Sequence, residues 1–176
     1  GISLTMMMAA LEISTREISI TNSVLQHFED IGHNVDTHDI TYENSQARER
    51  TQILMDVANQ MNAIVIGTGD MSELALGWCT YCGDQMSMYG VNSGVPKTLI
   101  KFVLDWLSRK KADSRISDII SDIIDTPISP ELLPDSNDNI VQKTEEAIGP
   151  YELHDFFLYH LLRFGYGSDK ISFLAQ

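Results

Sequence analysis

An α/β fold built on a parallel sheet is what this sequence predicts, and two observations carry the prediction. The first is the stretch Ile64-Val65-Ile66-Gly67-Thr68-Gly69-Asp70. Its β-branched opening has the composition of a buried parallel strand, and the glycines let the chain turn sharply and bring its N–H groups close to a ligand. Asp70 or Ser72 can then cap a helix whose open N–H groups and dipole favour an anion. A strand, a glycine turn and a capped helix place a ligand at the carboxyl end of the sheet. The second observation is that the flanking segments keep helical hydrophobic spacing, so helices should make up most of the chain. On spacing alone this marks a nucleotide or phosphate site without saying which.

Composition narrows the classes. The 176 residues fit one domain with a sizeable core. A net charge of −13 argues against a nucleic-acid binder, whose affinity comes largely from neutralising phosphates. A nucleotide substrate must therefore find its cations among few basic residues. No apolar run reaches membrane-spanning length and no signal peptide is visible, so the expectation is a soluble, cytoplasmic protein without a membrane partner. Cys79 and Cys82 form a C-x-x-C. A redox pair would lie at a helix start after its own strand, and a zinc site would need two more ligands; the expectation is a pair of buried small residues.

Taken in order, residues 1–12 read as the tail of a helix, with Leu4, Met7, Met8 and Leu11 in register. Arg16 to Ile20 alternates and predicts a strand. Thr21 or Asn22 should cap the next helix, with Val24, Leu25 and Phe28 inward and Gly32 closing it. His33 to Asp39 reads as a solvated loop rather than a metal site. A long helix is expected from Glu43 to Met61, buried along Ala47, Ile53, Leu54, Val57 and Ala58. Arg48 and Arg50 in its first turns oppose the helix dipole, which suggests service elsewhere, a salt bridge to Glu43 or Glu49 being the simpler alternative. After the central unit, Met86 to Asn92 reads as a turn-rich connector. Ser93 and Pro96 then open a helix with Leu99, Phe102, Val103, Trp106 and Leu107 inward and Arg109 to Lys111 at its solvated end. Ile116, Ile119, Ile120, Ile123 and Ile124 mark another amphipathic helix. Residues 126–149, with three prolines and an acidic run, predict a mobile loop. The last helix runs from Tyr151 to Arg163 and is apolar on more than one face, as at a subunit interface.

The blocks Gly67-Thr68-Gly69-Asp70-Met71-Ser72-Glu73-Leu74-Ala75-Leu76-Gly77-Trp78 with Gly83-Asp84, Tyr42 to Arg50, Val95-Pro96-Lys97-Thr98-Leu99, Asp125 to Leu132 and Gly149 to Phe157 stand in an order and spacing that resemble the synthetase domain of glutamine-dependent NAD synthetases. The resemblance runs from about Ser14 to the C-terminus. It implies an incomplete Rossmann-like parallel sheet of the adenine-nucleotide alpha-hydrolase (ATP-pyrophosphatase) type, mostly helical here. It also implies ATP-dependent amidation of deamido-NAD to NAD through an adenylated intermediate, with Mg²⁺. By the same resemblance Thr68, Lys97 and Thr126 would bind ATP, and Glu73 would hold Mg²⁺ and lie by deamido-NAD. Asn44, Arg48, Trp78 and Lys170 would bind deamido-NAD. Such chemistry rests on positioning and phosphate neutralisation, so no catalytic nucleophile is expected. Tyr81 stands where short ammonia-dependent relatives carry lysine, which favours the glutamine-dependent branch.

The resemblance also has a gap. The family's Ser-Gly-Gly-x-Asp-Ser phosphate loop is absent from these residues, as are the glutaminase domain and its cysteine. Residues 1–176 are thus expected to be the C-terminal part of a synthetase domain, inactive alone, with the glutaminase domain in the parent chain. In the family the loop-bearing first strand lies between the strands equivalent to Glu17–Ile20 and Ile64–Ile66. Two open strand edges are therefore expected, covered by a partner or paired in a rearranged, homodimeric sheet. The alternative function is a non-catalytic nucleotide-binding or dimerisation module of the same fold.

Overall fold

The computed structural model describes residues 7–8, 11–83, 85–110, 114–126 and 144–176. Its helices are α1 (Thr21–Ile31), α2 (Ile40–Met61), α3 (Met71–Leu76), α4 (Lys97–Lys110), α5 (Ser114–Asp125), α6 (Thr144–Ile148), α7 (Tyr151–Phe164) and α8 (Ser168–Leu174). The strands β1 (Ile66–Gly67) and β2 (Tyr89–Gly90) pair in parallel, Ile66 against Tyr89 and Gly67 against Gly90. The order β1-α3-β2 is a parallel crossover. Gly67 is required by close approach, because a Cβ there would stand 2.7 Å from the Cβ of Ser87.

Several expectations are corrected. Glu17 to Ile20 is not a strand: it runs unpaired into α1, since an extended segment becomes a strand only when a neighbour takes its backbone bonds. Neither Thr21 nor Asn22 caps α1; Ile20 holds that position without a side-chain bond, while Ser19 Oγ accepts from the Thr21 N–H. The connector 86–92 contains β2, whose two residues are too short to show alternation. Ser93 does not cap α4; its hydroxyl donates to the carbonyl of Gly90. The helix from Tyr151 is not the last, because α8 follows. Of residues 126–149, 127–143 lie outside the described residues, and 144–148 form α6 rather than loop. Residues 1–12 also lie largely outside them, with Met7 and Met8 helical.

The packing departs furthest from expectation. Apolar burial is spread thinly, through Val24 and Phe28 of α1, Ala47 and Ala58 of α2, Ile119 and Ile120 of α5, Tyr151 and Ile171. Phe28 stacks on Tyr42 with centroids 5.5 Å apart where α1 meets α2. On α4, Leu99, Phe102, Val103 and Trp106 are exposed, so Trp106 is not core. Leu54 of α2 is exposed as well. The two cysteines are free, with Cys79 exposed and Cys82 half-buried rather than enclosed. Periodicity shows which face wants cover, not what supplies it.

Candidate nucleotide site

The turn after β1 is fixed by a reciprocal capping box. Asp70 Oδ1 accepts from the Glu73 N–H at 3.0 Å, and Glu73 Oε2 accepts from the Asp70 N–H at 3.2 Å. Both carboxylates keep a second oxygen for Lys97, the first residue of α4. Its ammonium lies 2.7 Å from Asp70 Oδ2 and 2.8 Å from Glu73 Oε1. Asp70 is 2% exposed, so this is a buried ion cluster, and its two carboxylates against one ammonium leave an excess negative charge. Burial pulls the Lys97 ammonium down, yet its bonds to Asp70 and Glu73 and their charges outweigh that and hold it above the usual lysine value. The same ammonium sits 5.1 Å from the centre of the Tyr151 ring. Burial, with the charges of Glu73 and Asp70 adding to it against the opposing ammonium, pushes the Tyr151 phenol up to about 12.

Beneath the cluster lies a polar junction of three helices. Ser72 of α3 donates to Asp155 Oδ1 of α7. Asp155 Oδ2 accepts from the Thr98 N–H at 2.9 Å and the Thr98 hydroxyl at 2.7 Å, while Ser72 Oγ accepts from the Lys97 N–H at 2.9 Å. Ser72 is fully buried and Asp155 is 7% exposed. Asp155 follows Tyr151 by four residues, so an acid on the buried stripe of α7 is the sequence signal for it.

Of the site residues predicted from sequence, Glu73 and Lys97 are in contact. Thr68 and Glu73 line one cleft of about 120 Å³, with Gly69, Leu74, Cys79 and Gln85. Thr68 also borders a larger cleft of about 250 Å³ between α2 and β1, lined by Arg50, Thr51, Leu54 and Ile66 among others. Arg48 forms no salt bridge to Glu43 or Glu49 among the described residues; its Nε donates to the Tyr81 carbonyl at 3.2 Å. That bond and Thr51 Oγ1 to the Gly83 carbonyl, 2.9 Å, fasten α2 to the loop after Trp78. Asn44 lies one turn before Arg48, half-buried, and Trp78 is 40% exposed beyond the end of α3. Thr126 closes α5 with its hydroxyl on the Asp122 carbonyl at 2.8 Å. Lys170 of α8 places its ammonium 3.4 Å from the Tyr166 ring centre. Trp78 meets the cluster through its backbone, its N–H donating to the Glu73 carbonyl at 3.0 Å, whereas Arg48 and Lys170 form no ion pair with Asp70 or Glu73 among the described residues. Asp70, Ser72 and Asp155 were absent from the predicted site; the first two were legible only as candidate caps.

The geometry suits a bound cation, beside which an anion can then be held. Two carboxylate oxygens converge on one cationic point at the carboxyl end of β1, next to a glycine turn. Such an oxygen pair can hold a divalent ion in place of the ammonium, which is then free to meet phosphate oxygens. His33 and Asp39, 3.0 Å apart, serve a different purpose: Asp39 caps α2, and no cluster of metal-ligating side chains occurs among the described residues.

Comparison with known proteins gives a consistent picture. The family model for NAD synthase matches residues 3–168. The chain is 41% identical over 172 residues to the glutamine-dependent NAD(+) synthetase of Mycobacterium leprae, covering 94% of this chain and 25% of that protein. It therefore spans about a quarter of the length of that relative. Among solved structures it is similar to an NMN synthetase from Francisella tularensis, at TM-score 0.67 and 25% identity, over 86% of this chain and 56% of that one. It shares its fold with a glutamine-dependent NAD+ synthetase from Acinetobacter baumannii in complex with ADP, at TM-score 0.56 and 24% identity, over 96% of this chain and 28% of the other.

Proposed function

This chain belongs to the NAD synthase family, and from that premise we propose that it contributes part of an ATP site for the amidation of deamido-NAD to NAD. The nicotinate carboxylate attacks the α-phosphorus of ATP, the Pα–O–Pβ bond breaks and pyrophosphate leaves. Ammonia, derived from glutamine by a glutaminase domain of the parent polypeptide, then attacks the acyl carbon, AMP leaves and a proton is lost. The observation that carries this reading is the Lys97 ammonium held by Asp70 and Glu73 beside the Thr68 cleft.

In this reading Thr68 meets ATP from the end of β1, Lys97 neutralises its phosphates and Thr126 lies on the pyrophosphate side. Glu73, with Asp70 beside it, fits Mg²⁺, because their oxygens already converge on a cation and Mg²⁺ takes one or two carboxylates plus substrate phosphates. Bound there, the ion supplies Lewis-acid stabilisation of phosphate charge. Asn44, Arg48, Trp78 and Lys170 hold deamido-NAD. The ADP complex of the Acinetobacter protein supports nucleotide binding by this fold. No described helix is long and apolar enough to cross a membrane. The exposed apolar positions of α4 and α7 support a homodimer, and equally support the second reading, a non-catalytic nucleotide-binding or dimerisation module.

Deamido-NAD-dependent pyrophosphate release tests the proposal. The full-length polypeptide should release pyrophosphate and form NAD with ATP, Mg²⁺ and ammonia, and the 176-residue chain alone should not. Release by the isolated chain would refute its inactivity. No release by the full-length polypeptide would establish the non-catalytic reading.

A further inference from the structure

We propose that Asp155 is a positioning residue for Lys97: it clamps α3 to the first turn of α4 and so holds the ammonium at the Asp70–Glu73 pair. The proposal rests on the reading of Lys97 as the phosphate-binding cation.

A helix begins with N–H groups that lack intrahelical partners, and a side-chain oxygen just before the first turn usually accepts one of them. Pro96 precedes α4 and has no such oxygen. The N–H groups of Lys97 and Thr98 go instead to Ser72 Oγ of α3 and Asp155 Oδ2 of α7, each at 2.9 Å. Asp155 also takes the hydroxyl protons of Ser72 and Thr98, so three donors and the dipole of α4 compensate its burial. Both carboxylates that hold the ammonium belong to the N-terminal turn of α3, within two residues of Ser72. The junction thus joins, through one carboxylate, the element bearing the anions to the element bearing the cation. A lysine side chain is long and flexible, so its aim depends on a fixed root, and small misplacements of a charge lose much of its effect on the reacting group.

A residue that merely stabilised the fold would weaken every step and would do so whether or not Lys97 were present. The test is therefore a double-mutant cycle in the full-length polypeptide, reading KM for ATP and for deamido-NAD separately. Asp155→Asn keeps the size and one acceptor but removes the charge, and should raise KM for ATP about tenfold, with KM for deamido-NAD changed less than about twofold. In a Lys97→Met background the same substitution should change KM for ATP by less than about twofold. An equal loss in both backgrounds, or a parallel rise in both KM values, would overturn the proposal. If Asp155→Asn does not fold, Ser72→Ala and Thr98→Val enter the same cycle, each expected at about threefold and each non-additive with Lys97→Met. Lys97→Met without effect on KM for ATP would instead bring down the reading of Lys97, and the proposal with it.

Discussion

The turn from Gly67 to Asp70 joins two regions built on opposite terms. On one side, Asp70, Ser72 and Asp155 are 2%, 0% and 7% exposed, deeper than most of the described apolar residues. On the other, Ile64 and Ile66 of the sheet segment stand 62% and 52% exposed, and β1 has β2 as its one neighbour among the described residues. Polar groups satisfy one another through a few directed bonds, so the junction is complete within this chain. Apolar surface needs area, and the sheet has little set against it. The junction is where single residues should matter, and the sheet edge is where they should not.

The largest expected effect lies in the junction. Asp155→Ala leaves the Thr98 N–H and the two hydroxyls without their acceptor and should destabilise the chain by about 3 kcal/mol, measured by urea unfolding. Ile66→Ala should lie within about 0.5 kcal/mol, and an equal loss at both positions would erase the contrast. Next comes Glu73→Gln in the full-length polypeptide, which should lower Mg²⁺-dependent turnover at least tenfold, about 1.4 kcal/mol in the barrier. Unchanged activity across a Mg²⁺ titration would leave Glu73 as a helix cap alone.

A smaller effect is expected from alkali. Between pH 10 and about 12 the unfolded chain has released the Tyr151 proton while the folded chain retains it. The folded state then binds more protons, so stability falls as pH rises through that window. The raised Lys97 acts in the same direction above pH 10.5. Tyr151→Phe should flatten this dependence, and should remove from the absorbance titration the tyrosine that keeps its proton above pH 10. The smallest expected signal is association at micromolar concentration through Leu99, Phe102, Val103 and Trp106, read by sedimentation; a stable monomer would show that these faces do not bind a second copy.

What the sequence revealed follows the same division. Local signals were legible: the periodicity of α2, α4 and α7, the closure of α1 at Gly32 and the Asp70 cap all depend on residues a few positions apart. Glu17–Ile20 and Trp106 were misjudged because a strand needs a neighbour and a buried face needs a cover, and neither is a property of the segment itself. Asp155 escaped for a related reason. Its partners Ser72 and Thr98 lie 83 and 57 residues earlier, and no pattern in α7 names them.

That separation has a consequence for the order in which the chain acquires structure. The first turn of α4 is made before α7 exists on a growing polypeptide, and its opening N–H groups wait 57 residues for one of their acceptors. Contacts so distant form only after the intervening chain has given up its freedom. The start of α4, and Lys97 with it, should therefore be among the last parts of the molecule to settle, although the helix behind it can form early.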